Sequence, residues 1–188
     1  MGTDAPEGKT LETKLAIVRT LDELSKTRPF SRLGVADVAK ELGISRSSFY
    51  YHFSDRNDAV QWLSKRAFEQ GIDLIGRTCT WFEGHYLTTR MLYDYRFLIS
   101  AAAQDDSYGG AVLFFRRHRA ATLAETLRMR GVEMTEGLSF QIASLAASEQ
   151  AMTVSFLRGE FGDMSARAFC QHIVSVVPEG LKRVLGDR

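Results

Sequence analysis

Apolar residues recur at helical spacing along almost the entire chain, and this periodicity restricts the fold more than any other feature of the sequence. The first stretch with this spacing predicts an amphipathic helix over residues 10–26. Arg28 and Pro29 end it, because the residue before a proline avoids the helical region. No segment of strand length alternates polar and apolar residues between turn signals. We therefore expect an all-α protein with little or no sheet.

The residues between these apolar stretches indicate where one helix ends and the next begins, and so how many helices there are. Glycines stand at or near most of the breaks, and Ser45 and Asp55 are good N-cap residues for the third and fourth helices. Pro178 should kink or interrupt the last helix. About nine helices are predicted in total, over residues 10–26, 35–42, 46–53, 56–75, 81–94, 95–104, 108–130, 137–158 and 165–185.

Composition argues against several classes of protein. With 45% apolar residues and three prolines, the chain can bury a core, and it lacks the run of about eighteen apolar residues that a membrane helix needs. The start of the sequence lacks the basic-then-apolar layout of a secretory signal. Cys79 and Cys170 are far apart and have neither metal-like nor redox-like spacing. This pattern is typical of reduced cysteines in a cytoplasmic protein.

Residues 35–56 have the layout of a helix-turn-helix. A helix with an apolar underside ends at Gly43, and the short helix after it has a narrow apolar seam made of Phe49 and Phe53. The net charge of the chain is only +1, but residues 26–56 contain six basic and three acidic residues. This local excess of +3, from six minus three, favours contact with a phosphate backbone.

The remaining face of the second helix carries side chains that suit a DNA groove. Arg46 can donate two hydrogen bonds to guanine, and serine hydroxyls can bond bases or phosphates. Tyrosine hydroxyls and a histidine ring reach phosphate oxygens, and Arg56 stands where helix amides also favour a phosphate. A compact helical hairpin with surface aromatics is the structural alternative. The candidate DNA-binding residues are Arg46, Ser47, Ser48, Tyr50, Tyr51, His52 and Arg56.

The segment GISRSSFYYHF (43–53), with Asp55 and Arg56 after it, resembles the signature of the TetR family of transcriptional regulators. The upstream aromatic Phe30 and the segment VADVA (35–39) fit the family as well. The similarity covers residues 10–64, about a third of the chain. The resemblance implies a helix-turn-helix DNA reader joined to an all-helical domain that forms dimers and senses a ligand.

The resemblance also implies roles for single residues. It implies a phosphate contact for Tyr50 and a hold on the DNA backbone for Arg56. Two positions depart from the family pattern: Gly34 has no hydroxyl where a threonine or serine usually caps the second helix and touches a phosphate, and Ala59 stands where leucine is frequent. The residues implied to lie in or along the groove are Arg46, Ser47, Tyr51 and His52.

Two domains follow from this interpretation. Residues 8–54 form the DNA-binding domain, 55–64 begin a connecting helix, and 65–188 form a helical domain for dimerisation and ligand binding. One short recognition helix makes too few contacts for tight binding, so a homodimer on a palindromic operator is predicted. The expected dimer surface is the pair of apolar helices near 138–158 and 165–185; alternatively, these helices close the core of the monomer.

A ligand pocket is suggested by aromatic residues concentrated in 81–104 and by polar residues that interrupt the apolar helix 137–158. Aromatics with a few polar groups suit a small-molecule pocket, although an aromatic stripe at helical spacing is also typical of a core. The basic run RRHR (116–119) could bind an anion but is more typical of a solvated helix face. The candidate pocket residues are Trp81, His85, Tyr86, Tyr93, Gln104, Gln141 and Glu149.

The leading interpretation is a homodimeric repressor that a small-molecule effector releases from its operator. The alternative is a TetR-fold activator or co-regulator that acts through a protein partner without a ligand of its own. An enzyme is not expected, because the four histidines are scattered without metal spacing and the sequence has no phosphate-cradling glycine loop and no nucleophile elbow. No metal, cofactor or membrane partner is predicted.

Overall fold

The computed structural model describes residues 7–105 and 109–186, which form ten α-helices and two 3-10 helices, at Phe30–Arg32 and Ile72–Leu74. The predicted all-α class is confirmed; the one β-type pairing within those ranges is an isolated bridge between Ile75 and Cys79. Residues 106–108 and 187–188 of the predicted second domain lie outside the described part of the chain. The helices are α1 (Glu7–Ser25), α2 (Val35–Leu42), α3 (Arg46–His52), α4 (Arg56–Glu69), α5 (Trp81–Tyr93), α6 (Arg96–Gln104), α7 (Gly109–Met129), α8 (Glu136–Leu157), α9 (Ala166–Ser175) and α10 (Glu179–Leu185).

Two predicted helices end differently from the expectation. Pro178 divides the segment 165–185 into α9 and α10, which raises the number of helices from nine to ten. Proline has no backbone N–H to donate and its ring clashes with the preceding turn, so the helix stops there. The fourth helix was expected to reach Ile75 but ends at Glu69.

The end of α4 is set by a close approach around Gly71. A Cβ at this position would clash with Thr88 Oγ1 and with the carbonyl of Gly84, so only glycine lets the two segments come this near. Thr88 Oγ1 accepts the Ile72 N–H at 3.0 Å and donates to the Ala67 carbonyl at 3.2 Å. That hydroxyl satisfies backbone groups that a further helical turn would have paired, and the chain continues as a 3-10 helix.

The helices form two compact units. The first comprises the chain up to Leu63 together with Tyr95–Ala111, and the second comprises Ser64–Asp94 together with the residues from Val112 onward. Packing therefore assigns α6 to the first unit, where it lies against α1, although the sequence interpretation includes it in 65–188. The predicted domain boundary follows from function rather than from packing and stays a prediction.

The first unit is built around one apolar core to which α1, α2, α3 and α6 all contribute. The helical spacing of α1 turns Ile17 and Leu21 toward this core, where both are fully buried, as is Leu98 of α6. Full burial of one such side chain stabilises the fold by about 1.5–3 kcal/mol. The buried members of the core are Ile17, Val18, Leu21, Phe30, Leu33, Val38, Phe49, Phe53, Ala59, Val60, Leu63, Tyr95, Leu98 and Ala102.

A buried carboxylate on α1 caps α6. Asp22 is 6% exposed, and its Oδ1 accepts the backbone N–H of Leu98 at 2.8 Å. Tyr95, which precedes the helix, forms no side-chain cap bond of its own. Burial raises the pKa of Asp22, while the Leu98 bond and the charge of Lys26 act in the opposite direction. The cap ties the first turn of α6 to α1.

In the second unit, α5 lies against α9 and α8. Phe156 of α8 stacks on Phe169 of α9 with ring centroids 4.4 Å apart. The Cys170 thiol lies 3.6 Å from Thr89 Oγ1, and burial raises its pKa to about 11, so it stays protonated at neutral pH. None of the helices within 7–105 and 109–186 has the length and apolar character needed to cross a membrane.

Candidate nucleic-acid interface

The turn between α2 and α3 is fixed by Gly43. Its φ of +69° lies in the left-handed region, where a side chain would be strained. The next amide, Ile44 N–H, donates to the Ala39 carbonyl at 2.9 Å and closes the end of α2. Ser45 begins α3, because its Oγ accepts the Ser48 N–H at 3.0 Å. Glycine and serine therefore have the roles that the sequence predicts for them.

Two phenylalanines hold α3 against the core. Phe49 is fully buried and Phe53 is 2% exposed, and their ring centroids lie 6.2 Å apart. Trp62 of α4 meets Phe53 edge-on at 5.7 Å, and Lys14 Nζ lies over both of these rings, at 5.2 and 5.5 Å. This seam fixes the rotation of α3 about its axis and so decides which of its side chains face solvent.

The opposite face of α3 is open to solvent. Tyr50 and Tyr51 retain 56% and 70% of their surface, Arg46 and Ser47 are exposed, and Ser48 is half-buried. Two neighbouring tyrosines held in water are unusual on a surface that touches nothing. Together with a guanidinium and two hydroxyls, they offer donors and acceptors that match base edges and phosphate oxygens.

His52 is half-buried at the end of α3. Its ring meets that of Tyr51 edge-on with centroids 5.0 Å apart, and its Nδ1 is enclosed without a hydrogen-bond partner among the described residues. Burial and the nearby charge of Lys14 lower the pKa of His52. Without DNA, the lowered pKa favours the neutral ring at pH 7, which can act as a hydrogen-bond donor or acceptor.

The start of α2 is ordered by Asp37. Gly34, the N-cap residue, has extended backbone and brings no hydroxyl. The carboxylate of Asp37 accepts the Gly34 N–H at 2.9 Å, and Arg28 donates to its other oxygen at 3.0 Å. The Gly34 bond and the Arg28 guanidinium hold the pKa of Asp37 below its usual value. The Asp37 side chain, which belongs to α2 itself, thus orders the start of this helix although Gly34 has no cap hydroxyl.

Arg56 turns toward the protein at the start of α4. The helix is capped by Asp55, whose Oδ1 accepts the Asp58 N–H at 2.8 Å, as predicted. Arg56 Nη1 donates to the carbonyl of Leu33 at 2.6 Å, and its Cζ lies 5.0 Å from the centre of the Phe30 ring. The resemblance implies that this guanidinium holds the DNA backbone; here it is bonded to protein, and the DNA contact stays a prediction.

The region just described matches the family model of bacterial regulatory proteins, tetR family, over residues 17–60. Residues 17–60 of the chain are therefore a TetR-family segment. The matched segment contains α2, the Gly43 turn and α3, so the predicted family is confirmed on the residues that suggested it. It covers none of the second unit as packing divides the chain.

Relatives found by sequence match a limited part of the chain. The HTH-type transcriptional regulator EthR of Mycobacterium tuberculosis and of Mycobacterium bovis is 37% identical over 68 residues, which are 36% of this chain. The alignment spans 31% of the length of these relatives. The similarity to these relatives is therefore restricted to about a third of this chain.

Two solved structures share the fold over most of the chain. The dihydroxyacetone kinase operon activator DhaS is 19% identical with a TM-score of 0.63, over 91% of this chain and 97% of that one. A TetR-family transcriptional regulator from Streptomyces coelicolor is 15% identical with a TM-score of 0.58, over 98% of this chain and 88% of that one. At these identities the likeness supports the fold alone.

Three of the seven candidate pocket residues come together in the second unit. Trp81, His85 and Glu149 are 1%, 6% and 2% exposed. His85 Nε2 lies 3.0 Å from Glu149 Oε1, and the rings of Trp81 and His85 stack with centroids 6.3 Å apart. Arg119 completes this group, because its Nε donates to Glu149 Oε2 at 2.8 Å and its Nη1 donates to the Ile72 carbonyl at 2.9 Å.

The burial of Arg119 corrects the interpretation of the run RRHR. A solvated helix face was expected, and Arg116 and Arg117 are exposed as this predicts. Arg119, however, is 1% exposed, and His118 Nε2 lies 2.7 Å from Asp73 Oδ2. Burial would raise the pKa of Glu149, but Arg119 and the nearby histidine outweigh it and lower this pKa to about 2. The sequence analysis names Glu149 as a pocket candidate but misses Arg119 as its partner; the signal was present, since an acid within an apolar helix needs a cation when it is buried.

The other four candidates are less buried than these three. Tyr86 is half-buried and stacks on Phe82 with centroids 5.6 Å apart, and Tyr93 is 41% exposed beside a groove of 600 Å³. Gln104 is exposed in the first unit, and Gln141 is exposed on α8. The ligand role of the seven residues stays a prediction. In the described ranges, no cluster of three or more His, Cys, Asp or Glu side chains could hold a metal.

The outer face of α8 is uncharged. Between Gly137 and Leu157 the only charged residue is Glu149, which is buried. Ile142 and Leu145 turn into the unit, whereas Phe140 is 73% exposed among small residues. An adjoining apolar groove of 370 Å³ is lined by Met152, Phe161, Met164, Phe169, His172, Ile173 and Val176.

Proposed function

We propose that this protein is a homodimeric, sequence-specific DNA-binding repressor of the TetR family that a small-molecule effector releases from a palindromic operator. The observation that carries the proposal is the exposed face of α3. Tyr50 and Tyr51 keep 56% and 70% of their surface in solvent, while Phe49 on the opposite side is fully buried. A helix that is anchored on one face and polar on the other is what a major groove accepts.

The α3 side chains divide the work of recognition in this proposal. Arg46 reads a guanine through a pair of hydrogen bonds, and the Tyr51 ring packs on a thymine methyl. The Tyr50 hydroxyl bonds a phosphate oxygen, which sets the register of the helix without reading sequence. The local charge excess of residues 26–56 adds attraction that does not depend on sequence. Residues along the edge of the groove are Ser47, Ser48 and His52.

The outer face of α8 supports the homodimer. It has no exposed charge between Gly137 and Leu157, and Phe140 projects from it with 73% exposure. Pairing through the helices near 138–158 and 165–185 would cover this face and the adjoining apolar groove. A two-fold dimer must then hold its two α3 helices about 34–36 Å apart, one turn of DNA, to read a palindrome.

Effector release is proposed from the family resemblance and from the grouping of Trp81, His85 and Glu149 in the second unit. An effector would act by favouring a dimer in which the two α3 helices no longer match adjacent grooves. A second candidate is an activator or co-regulator that works through a protein partner without a ligand. The Arg119–Glu149 pair favours it, since the polar groups that a ligand would use already bond each other.

The test is DNA binding by the full chain to the region upstream of its own gene, measured by electrophoretic shift and fluorescence anisotropy. Wild type should bind in preference to scrambled DNA, and Tyr51→Ala should weaken binding by about tenfold. Tyr93→Ala is the matched control, because this tyrosine is also exposed but belongs to the second unit. Absence of sequence-specific binding at moderate salt would refute the proposal.

The base-reading role of Arg46 has its own test. Arg46→Ala should relax the preference at one base pair of the operator and cost about 1–3 kcal/mol of binding free energy there. Equal losses across all operator variants would instead show that Arg46 contacts only phosphate. Unchanged operator occupancy across a broad ligand screen, with a partner that alters transcription, would favour the second candidate over the first.

A further inference from the structure

One side chain joins the two ends of the helix-turn-helix. Arg56 is the first residue of α4, and its Nη1 donates to the carbonyl of Leu33, 23 residues earlier in the chain. Leu33 directly precedes Gly34, the N-cap of α2. All of α2, the turn and α3 therefore lie between the two bonded residues. The guanidinium also lies over the ring of Phe30, which is 2% exposed.

This arrangement engages part of the guanidinium of Arg56. A phosphate is gripped through one of two edges of the group, formed by Nε with Nη2 or by Nη1 with Nη2. Nε is enclosed by protein and has no acceptor among the described residues, and Nη1 is bonded to Leu33. Of the five N–H donors, one is thus bonded to Leu33 and the one on Nε is enclosed, so the Nε edge is closed, while the Nη1–Nη2 edge has three N–H groups beyond the Leu33 bond.

We propose that Arg56 is a positioning residue: its bond to Leu33, called the clasp below, holds the two ends of the helix-turn-helix together, and DNA binding depends on Arg56 for this clasp and not for a phosphate contact. The proposal rests on the proposed function of α3 as a DNA reader. A bond between the ends of a segment removes freedom that the segment would otherwise keep. The clasp matters here because Gly34 supplies no side-chain bond at the start of α2. By fixing that start against α4, Arg56 fixes the presentation of α3.

A phosphate contact and a clasp predict different behaviour for lysine at this position. Lysine keeps the positive charge and can meet a phosphate, but it has no planar group to lie over Phe30 while bonding Leu33. Arg56→Lys should therefore behave like wild type if Arg56 only contacts phosphate. It should behave like Arg56→Ala if Arg56 is a clasp.

The first experiment uses the full chain without DNA and measures hydrogen exchange of the amides in α2 and α3. Arg56→Ala and Arg56→Lys should both speed exchange by about tenfold, the effect of losing one charge-assisted hydrogen bond. Arg32→Ala is the control, because this exposed arginine in the neighbouring 3-10 helix carries the same charge outside the clasp. Unchanged exchange in both Arg56 variants overturns the proposal.

The second experiment measures operator affinity against salt concentration. Arg56→Ala should bind about tenfold more weakly at every salt concentration with an unchanged slope of log affinity against log salt. A slope reduced by about 0.9, with rescue by Arg56→Lys, would reveal a phosphate contact and overturn the proposal. If Arg56→Ala does not fold, Arg56→Lys and Phe30→Leu provide the same comparison. If wild type binds no operator, the proposed function fails while the exchange measurement still decides the clasp.

Discussion

The two units of this protein use their charged and polar side chains in opposite ways. In the first unit, a buried seam at Phe49 and Phe53 turns Arg46, Tyr50 and Tyr51 outward into solvent. In the second unit, the Arg119–Glu149 ion pair is buried, and its members bond each other. A group held in water is available to a partner, whereas a buried one must find its partner within the fold. The same residue types thus indicate a binding surface in one unit and internal architecture in the other.

Removal of Arg119 should have the largest effect on stability. Arg119→Met should lower the free energy of unfolding by about 3–5 kcal/mol, because it leaves the buried Glu149 carboxylate without its cation. Urea denaturation followed by circular dichroism measures the change. The double variant Arg119→Met/Glu149→Leu should recover most of the loss, since it removes both charges. A single-variant loss below about 1 kcal/mol would contradict an architectural role for the pair.

Acid should act on the same pair. The pKa of Glu149 is about 2 in the folded protein against an ordinary 4.5, so the folded state favours the charged carboxylate. Its stabilisation, about 3 kcal/mol, is fully present above pH 4.5 and is lost as the pH falls from 4.5 through about 2. Urea midpoints measured across this range should fall less steeply in the double variant than in wild type. Equal slopes would show that other carboxylates dominate acid unfolding.

An intermediate loss of stability is expected at Asp22, a buried carboxylate that caps the start of α6. Asp22→Ala should cost about 1–3 kcal/mol in the free energy of unfolding, because the Leu98 N–H is left without its acceptor. Asp22→Asn keeps an oxygen at that place and should cost clearly less. Thermal melts of both variants make the comparison. If the two lose equally, the charge of Asp22 and not its hydrogen bond is what the fold uses.

The smallest change in the free energy of unfolding is expected for an exposed side chain of the first unit, Tyr51. Tyr51→Ala should leave the free energy of unfolding within about 0.5 kcal/mol of wild type, because 70% of this side chain is already in solvent. Denaturation curves would show it. A clear loss of stability would mean that Tyr51 supports the fold of α3, and the weaker operator binding of this variant would then need that explanation first.

Local patterns explain why the first unit was largely predictable. The glycine of the turn, the serine cap and the two phenylalanines four residues apart act within a few residues of one another, so their spacing alone placed α2 and α3. The break at Pro178 is equally local. The chemistry of the exposed face follows once the buried seam is known, since the two occupy opposite sides of one helix.

Features that depend on distant partners could not be predicted in this way. The end of α4 depends on Thr88, which bonds Ile72 from 16 residues away. Arg119 is buried because Glu149 lies 30 residues further along the chain, and neither spacing nor composition links the two. Arg56 matches the family signature in identity, yet its orientation depends on Phe30 and Leu33, which the signature does not connect to it.

The first unit comprises two separate segments of the chain. Ser64–Asp94, which belong to the second unit, lie between these segments in sequence and are synthesised between them. The core of the first unit requires Leu98 and Ala102, so a nascent chain that has emerged only to residue 94 holds α1 to α3 with one side of their core uncovered. Because synthesis runs from the N-terminus and domains fold as they become complete, the DNA reader cannot finish folding at the ribosome before α6 emerges. Premature termination anywhere in 64–94 would therefore release a fragment with an exposed apolar surface, prone to aggregation, instead of a folded first unit.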